Sequence, residues 1–371
     1  MFFYFFIICV ASVFAGGASC FLKQSRLVAK TMYVMSALTL FLPLAMRGMG
    51  VDYNVYVATY SSVSDVSWVQ YWTHYDLRPE PLYVILNFVA KWIFGNFSGV
   101  NFLCALVSIS FTYAGIWKYK EKVNLGLTIY TVGFSYYIMM YGLNKMMLAV
   151  SIITWAYHYY TKKRFWKYLF LTVVASAFHY SALIMIPLYY VMNKMNALKE
   201  WLKNPGRIKV IVWIAAIFVA IYYVFPRAFG SMPWFNRYSG YFSLGFTPGA
   251  LLNNAHLFFC AIISYHYRNR LKKHLKDSDG LYSMMIVFIL LAAGSVIMPI
   301  HRVCFFMFPC ASIMYGAIPV AFKSIFYRKV SDINKILYYC IVIAIGILWL
   351  YYFLEININW GAYLVPYFTY S

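Results

Sequence analysis

Residues 165–192 read FWKYLFLTVVASAFHYSALIMIPLYYVM, and the charges on either side of them decide how the whole chain is laid out. Lys162, Lys163 and Arg164 precede the stretch and Lys194 follows it. Basic residues in short loops mark the cytoplasmic side of a membrane protein, so two basic flanks require an even number of crossings. One helical crossing takes about 20 residues, which makes this stretch short for two full spans. The economical solution is a pair of short helices, or a re-entrant hairpin, broken near Phe178-His179-Tyr180-Ser181. Non-helical backbone at membrane depth persists only where protein or a water-filled cavity covers it. His179 is therefore expected at the outer end of a cavity.

The same logic extends in both directions. The chain has 371 residues, of which 63% are hydrophobic, 22% aromatic and only 11% charged. An average soluble domain is about 25% charged. Too few charges remain to solvate a globular surface, which excludes soluble enzymes, disordered tails and nucleic-acid binders despite a net charge of +21. The clusters Lys23–Lys30, Lys118–Lys122, Lys162–Lys167, Lys194–Lys209, Arg268–Lys276 and Lys323–Lys335 hold 24 of the 31 basic residues. With the adjoining Asp277 and Asp279 counted, they carry +19 of the net charge and leave +2 elsewhere, so the excess is a topology signal.

With those clusters on the cytoplasmic side, apolar blocks near 2–20, 31–46, 98–117, 124–141, 143–160, 210–225, 250–267, 281–297, 302–321 and 336–354 become helices, and both termini fall outside. The first twenty residues have a signal peptide's length, but no positive charge precedes them and three follow, which fits a first helix entering from outside. Residues 47–97 must begin and end outside, so the apolar 81–95 is expected as an interfacial or re-entrant outer helix with Lys91 near the headgroups. The seven cysteines lie in apolar blocks without a CxxC pair and read as small buried hydrophobes. No repeat or low-complexity linker divides the chain. The expectation is a single integral membrane domain, 1–371, with outer loops 47–97 and 226–249. Its fold class is all-α and polytopic, with about 11–12 transmembrane helices.

Ionisable groups within a membrane are costly and usually face a cavity. The polar residues assigned to the outer side are therefore informative. Arg47 ends the second helix, Lys145 opens the 143–160 helix and Arg302 opens another. Three cations at one depth suit an anionic ligand such as a diphosphate, with Arg offering a fork and Lys a point charge. Each cation also fits simple snorkelling to the interface. Asp52 follows Arg47-Gly48-Met49-Gly50-Val51 and reads either as a base for a hydroxyl nucleophile or as a helix N-cap. Glu80, between Pro79 and Pro81, is likewise a cap or a site residue. His179 has three readings: a hydrogen-bonded buried histidine, a general base, or a contact to phosphate or sugar. Asp277-Ser278-Asp279 has a metal-binding shape but sits in a short cytoplasmic loop before a helix, as a cap would. His266 and His274 lack a third ligand at metal spacing.

These residues carry a resemblance. Ala177-Phe178-His179-Tyr180-Ser181-Ala182-Leu183-Ile184, followed by Pro187, is similar to the Phe-His-x-Ser-Ala-Leu-Ile signature of the EpsG-like branch of Wzy-type polysaccharide polymerases. Arg47-Gly48 with Asp52 and Tyr53, Glu80-Pro81-x-Tyr83 with Asn87, Arg237-Tyr238 with Tyr241, and Arg302 extend the likeness over roughly 30–330. Members commonly carry Arg-Gln where this chain has Lys145-Met146, so the cation is kept but the fork and the amide are lost.

The resemblance implies a fold similar to C-type membrane glycosyltransferases and a multi-pass protein of the bacterial inner membrane, active on its periplasmic face. It implies polymerisation of undecaprenyl-diphosphate-linked oligosaccharides into O-antigen, capsule or exopolysaccharide, with a chain-length regulator and other assembly proteins as possible partners. Arg47, Arg237 and Arg302, with Lys145 assisting, would neutralise the departing diphosphate, and Glu80 and Tyr238 would contact substrate. Asp52 or His179 would be the base. No metal and no cofactor is expected, since the cations supply the positive charge. Two rival classes are a transporter or flippase of a lipid-linked glycan and a membrane sugar acyltransferase. The clustering of polar residues on one face, without an internal repeat, favours an enzyme over a transporter.

Overall fold

The computed structural model describes residues 1–64, 66–74, 80–202, 252, 254–275, 302–321 and 328–356. The spans expected at 210–225 and 281–297, and the Asp277–Asp279 loop, lie outside the described residues. Helix is the regular structure of those described, with no strand among them. Five helices among them are long and apolar enough to cross a membrane: α1 (Phe2–Phe21), α2 (Arg26–Ala45), α6 (Ser98–Trp117), the segment Arg302–Ala321, and Ile333–Glu355. Large apolar side chains such as Phe2, Phe6, Leu27, Leu42, Trp166 and Phe170 point outward, as expected of a surface that meets lipid.

The chain order explains how the site is assembled. After α2 come two short helices, α3 (Tyr53–Ser64) and α4 (Trp68–His74), and then α5 (Pro81–Phe94). Pro81 opens α5 where its missing N–H costs nothing. Gly95 closes α5 in the left-handed region with φ 69°, a conformation that suits glycine. At 14 residues α5 is too short for an upright crossing, and its bounds fall within the helix expected at 81–95. It packs on α3, on α6 and on α9 (Phe165–Phe178).

The chain does break at His179. α9 ends at Phe178, His179 is extended (φ −156°, ψ 114°), and a 3-10 turn, Tyr180–Ile184, leads into α10 (Met185–Leu202). The segment is thus two helices with a non-helical joint.

Other expectations needed revision. The helix expected from 31 begins at Arg26, because the Ser25 hydroxyl accepts from the Val28 N–H at 3.3 Å and caps it. The helix expected from 250 begins at Ala255, as α11 (Ala255–His266), with α12 (Arg268–His274) behind it. The segment expected as one helix over 124–141 is instead α7 (Leu125–Val132), a π-helical turn at Gly133–Tyr137 and a 3-10 turn at Ile138–Tyr141. Residues 125–144 are all buried, so this strand of the bundle is enclosed by protein and not by lipid. Apolar length predicts its span but carries no information on its hydrogen-bond register. Of the cysteines, Cys104, Cys260, Cys304 and Cys310 are buried, whereas Cys20 and Cys340 are exposed on outward helix faces.

Around the 125–141 segment pack α1, α13 (Phe308–Ala321) and α14 (Arg328–Tyr351). On the other side α6 bridges α2 and α8 (Asn144–Thr161), and α8 bridges α6 and α9. Lipid supplies no hydrophobic drive between helices, so close backbone approach and polar contacts must hold them. Both are present. A methyl group on Gly126 would lie 2.8 Å from the Ser12 carbonyl and 2.9 Å from Gly16 Cα, which sets how near α1 and α7 can come. Tyrosines supply the polar contacts by donating to carbonyls of facing helices. Tyr137 bonds Leu40 at 2.9 Å, Tyr130 bonds Ile343 at 2.9 Å, Tyr315 bonds His256 at 2.8 Å, and Tyr157 bonds Phe306.

The two ends of the bundle differ in character. Arg47, Glu80, Lys145 and His179 lie at one end, where Tyr4 of α1 also meets Tyr141. The basic turns at Lys118–Lys122 and Lys162–Arg164 lie at the other.

Candidate active site

The site is built from residues at helix ends. Arg47 follows α2 and is buried, with 4% of its surface exposed. Its guanidinium donates to the Asn144 side-chain oxygen and, at 3.4 Å, to the Leu44 carbonyl. The Asn101 amide donates to the Arg47 carbonyl at 3.1 Å. Burial pulls the Arg47 pKa down, yet a guanidinium keeps its proton under ordinary conditions. Arg47 is thus a fixed positive charge that ties α2 to the start of α8 and to α6.

Gly50 then brings the chain against the turn at Tyr141-Gly142. A side chain there would run into the Tyr141 carbonyl, so only glycine allows the approach. Two residues on, the Asp52 carbonyl accepts from Tyr56 N–H at 3.1 Å, placing Asp52 at the head of α3. Its side chain is half-buried, and burial raises its pKa against the opposing charges of Arg302 and Lys145. The Asp52 backbone thus begins α3, while its carboxylate feels the charges of two cations.

Glu80 is the centre. Its carbonyl accepts from Tyr83 and Val84 N–H at 3.0 and 3.1 Å, which starts α5, but its side chain makes no capping bond. That carboxylate, on a residue only 2% exposed, accepts instead from Lys145 Nζ at 3.1 Å and meets His179 Nδ1 at 3.0 Å. Burial would push its pKa up, but the hydrogen bond to His179 and the charges of Lys145 and His179 outweigh that and hold it at about 2. Lys145 sits in the first turn of α8, where a positive charge opposes the helix dipole. Glu80 offsets that conflict, and the Tyr83 ring lies 5.5 Å beneath the ammonium.

Since an ionised carboxylate only accepts, Nδ1 donates to Glu80, and the second ring nitrogen is the one left for another partner. The extended backbone at His179 turns the ring toward α5, which an uninterrupted helix would not do.

Six of the eight residues singled out in the sequence thus come together: Arg47, Asp52, Glu80, Lys145, His179 and Arg302. Arg237 and Tyr238 lie outside the described residues. Three cations against two carboxylates leave the group with one formal positive charge. Sequence reasoning missed Tyr56 and Asn101. The buried Tyr56 packs beside the Tyr83 ring and the Lys145 main chain, and in a chain with 37 tyrosines nothing distinguishes that one. Asn101 had a signal, since an amide within an apolar helix needs a partner.

The EpsG family matches the chain over residues 30–369, which takes in the whole of this cluster. The chain belongs to the EpsG family. No curated protein and no solved structure matches it significantly. Membership in the EpsG family points to a polysaccharide-polymerase-like membrane protein.

Proposed function

We propose that this chain polymerises undecaprenyl-diphosphate-linked oligosaccharide repeats on the periplasmic face of the bacterial inner membrane, building a surface polysaccharide by glycosyl transfer. The observation that supports this most is the buried Glu80 carboxylate shared by Lys145 and His179, at the end of the bundle that the charge pattern assigns to the outside.

In this reading the acceptor is a sugar hydroxyl of one lipid-linked repeat. Its oxygen attacks the anomeric carbon of the donor chain, the bond from that carbon to the diphosphate breaks, and the lipid diphosphate leaves with the bonding electrons. His179 takes the hydroxyl proton on its second ring nitrogen while Glu80 holds the first. Asp52, whose pKa is raised, is the other proton acceptor within the cluster. Arg302, Lys145 and Arg237 stabilise the charge that develops on the diphosphate, and Arg47 does so from beneath while fixing Asn144. Removing one such electrostatic contact typically costs about 10²–10³ in rate.

The test is purified protein with a lipid-linked repeat, the products resolved by length on a gel. Wild type should give a ladder. Arg302→Ala and His179→Ala should each leave only the starting repeat while eluting as folded protein. An unchanged ladder for both variants would overturn the assignment of the site. Movement of the repeat across a vesicle wall without any ladder would favour a flippase.

A further inference from the structure

We infer that Tyr137 and Tyr141 are positioning residues for Arg47: they grip the end of α2 on both sides of the arginine and hold its guanidinium within the cluster. The inference rests on the proposed function only for what Arg47 does there.

The sequence weakens α2 close to its end. Pro43 lies inside the helix. It has no N–H to give the Thr39 carbonyl one turn back, and its ring pushes against that turn. Beyond the proline the helix is short. The Met46 N–H closes it on the Leu42 carbonyl at 3.1 Å, and Arg47 is the next residue. No ion pair among the described residues holds Arg47. Its place is set by neutral groups: the Asn144 side chain, the Leu44 carbonyl and the Asn101 amide. A proline is where a helix bends, so a buried cation just past one depends on whatever braces the backbone around it.

The brace has two points of contact. Before Arg47, the Tyr137 hydroxyl donates to the Leu40 carbonyl at 2.9 Å, in the same turn as Pro43. After Arg47, Gly50 rests against the Tyr141 carbonyl. The two contacts are joined to each other. The Tyr137 and Tyr141 hydroxyls lie 3.0 Å apart and their rings meet edge-on at 5.6 Å. Tyr137 spends its one proton on Leu40, so Tyr141 donates to Tyr137. Both side chains are buried, and the Tyr4 ring of α1 backs Tyr141 edge-on at 5.4 Å. Past Tyr141 the same stretch of chain leads into Asn144, which takes the guanidinium. Backbone and side chain of Arg47 are thus referred to one short segment. A misplacement of about 1 Å at a reacting centre can cost about 10² in rate.

The test compares Tyr137→Phe with Tyr130→Phe in the full chain in detergent. Tyr130 makes the same kind of bond from the same segment, 2.9 Å to the Ile343 carbonyl, but to α14 instead of α2. It therefore controls for loss of an interhelix bond as such. Hydrogen exchange of peptides covering 44–50, measured without substrate, reads the bracing. Polymer formed from a lipid-linked repeat, per folded molecule, reads its consequence. Tyr137→Phe should speed exchange at 44–50 about fivefold, the factor for one hydrogen bond. It should lower kcat at least about tenfold with KM unchanged, as expected when a transition-state contact is misplaced. Tyr130→Phe should leave both readouts at their wild-type values. Tyr141→Phe removes only the hydroxyl pair, should fall between the two, and takes the place of Tyr137→Phe if that variant does not accumulate. Unchanged exchange at 44–50, an equal rise in Tyr130→Phe, or an unchanged kcat despite faster exchange overturns the positioning role. Faster exchange in Tyr137→Phe alone, in a protein whose wild type makes no ladder, overturns the proposed reaction and leaves the brace on Arg47 standing.

Discussion

At the scale of single residues, Glu80 holds two partners that need it for different reasons. Lys145 requires a counter-charge at the wrong end of a helix dipole, and His179 requires an acceptor that fixes its tautomer. Glu80→Gln keeps the shape but removes the charge, and breaking a buried ion pair from one side costs about 3 kcal/mol. The variant should therefore melt at lower temperature and make no polymer, whereas Lys145→Arg, which restores the residue common in the family, should keep the ladder. The pH dependence follows from the depressed pKa of Glu80. Its contribution is fully present above the ordinary carboxylate value of 4.5 and is lost as pH falls toward about 2. Wild-type melting temperature should drop across that window, and Glu80→Gln should lack this part of the drop. Equal slopes would show that the carboxylate is not held by its partners. The sequence made Glu80 visible through its flanking prolines but left two roles open. Where its carboxylate goes depended on α8 and α9 arriving beside it, and no local pattern records that.

At the scale of elements, the break at His179 was legible because charge counting requires an even number of crossings in too few residues. That the helix near 81–95 is too short for an upright crossing was legible for a similar reason. What stayed hidden was how helices lock together. Apolar periodicity shows that α1 and α7 are helices, but not that Gly126 meets the backbone of α1. Nor does a tyrosine count reveal that the hydroxyls of Tyr130, Tyr137, Tyr157 and Tyr315 staple neighbouring helices. Two predictions follow from that locking. Gly126→Leu should force α1 off α7 and prevent accumulation of folded protein, as seen by size-exclusion chromatography. Tyr157→Phe removes one interhelix bond and leaves a buried carbonyl unpaired, so it should cost about 1–3 kcal/mol and lower the melting temperature without abolishing polymer. If Tyr157→Phe instead abolished activity at unchanged stability, its hydroxyl would have a role beyond packing.

At the scale of the whole molecule, the charge asymmetry predicts sidedness for each loop. Cysteine introduced at Gln70 in a cysteine-free background should react with a membrane-impermeant maleimide in intact cells, and cysteine at Glu121 should react only after permeabilisation. The reverse pattern would invert the topology and place the Glu80 cluster on the wrong face for an exported glycan. The enclosed π-helical turn at Gly133–Tyr137 bears on how far such a layout tolerates length change. Each residue of an α-helix advances the angular phase by about 100°, and a π-helical turn closes i→i+5 bonds, so it holds one residue more than the α-helical turn it replaces. Deleting one residue from that turn would let it relax to α-helical geometry and leave Tyr141, Gly142 and Lys145 close to their present phase. Deleting one from Leu125–Val132 instead would rotate everything after it, and those residues would present a different side to Gly50 and Glu80. A one-residue gap at Gly133–Tyr137 between two family members is therefore compatible with the same cluster, whereas the same gap one turn earlier would signal a rearranged cluster even where every charged residue is kept.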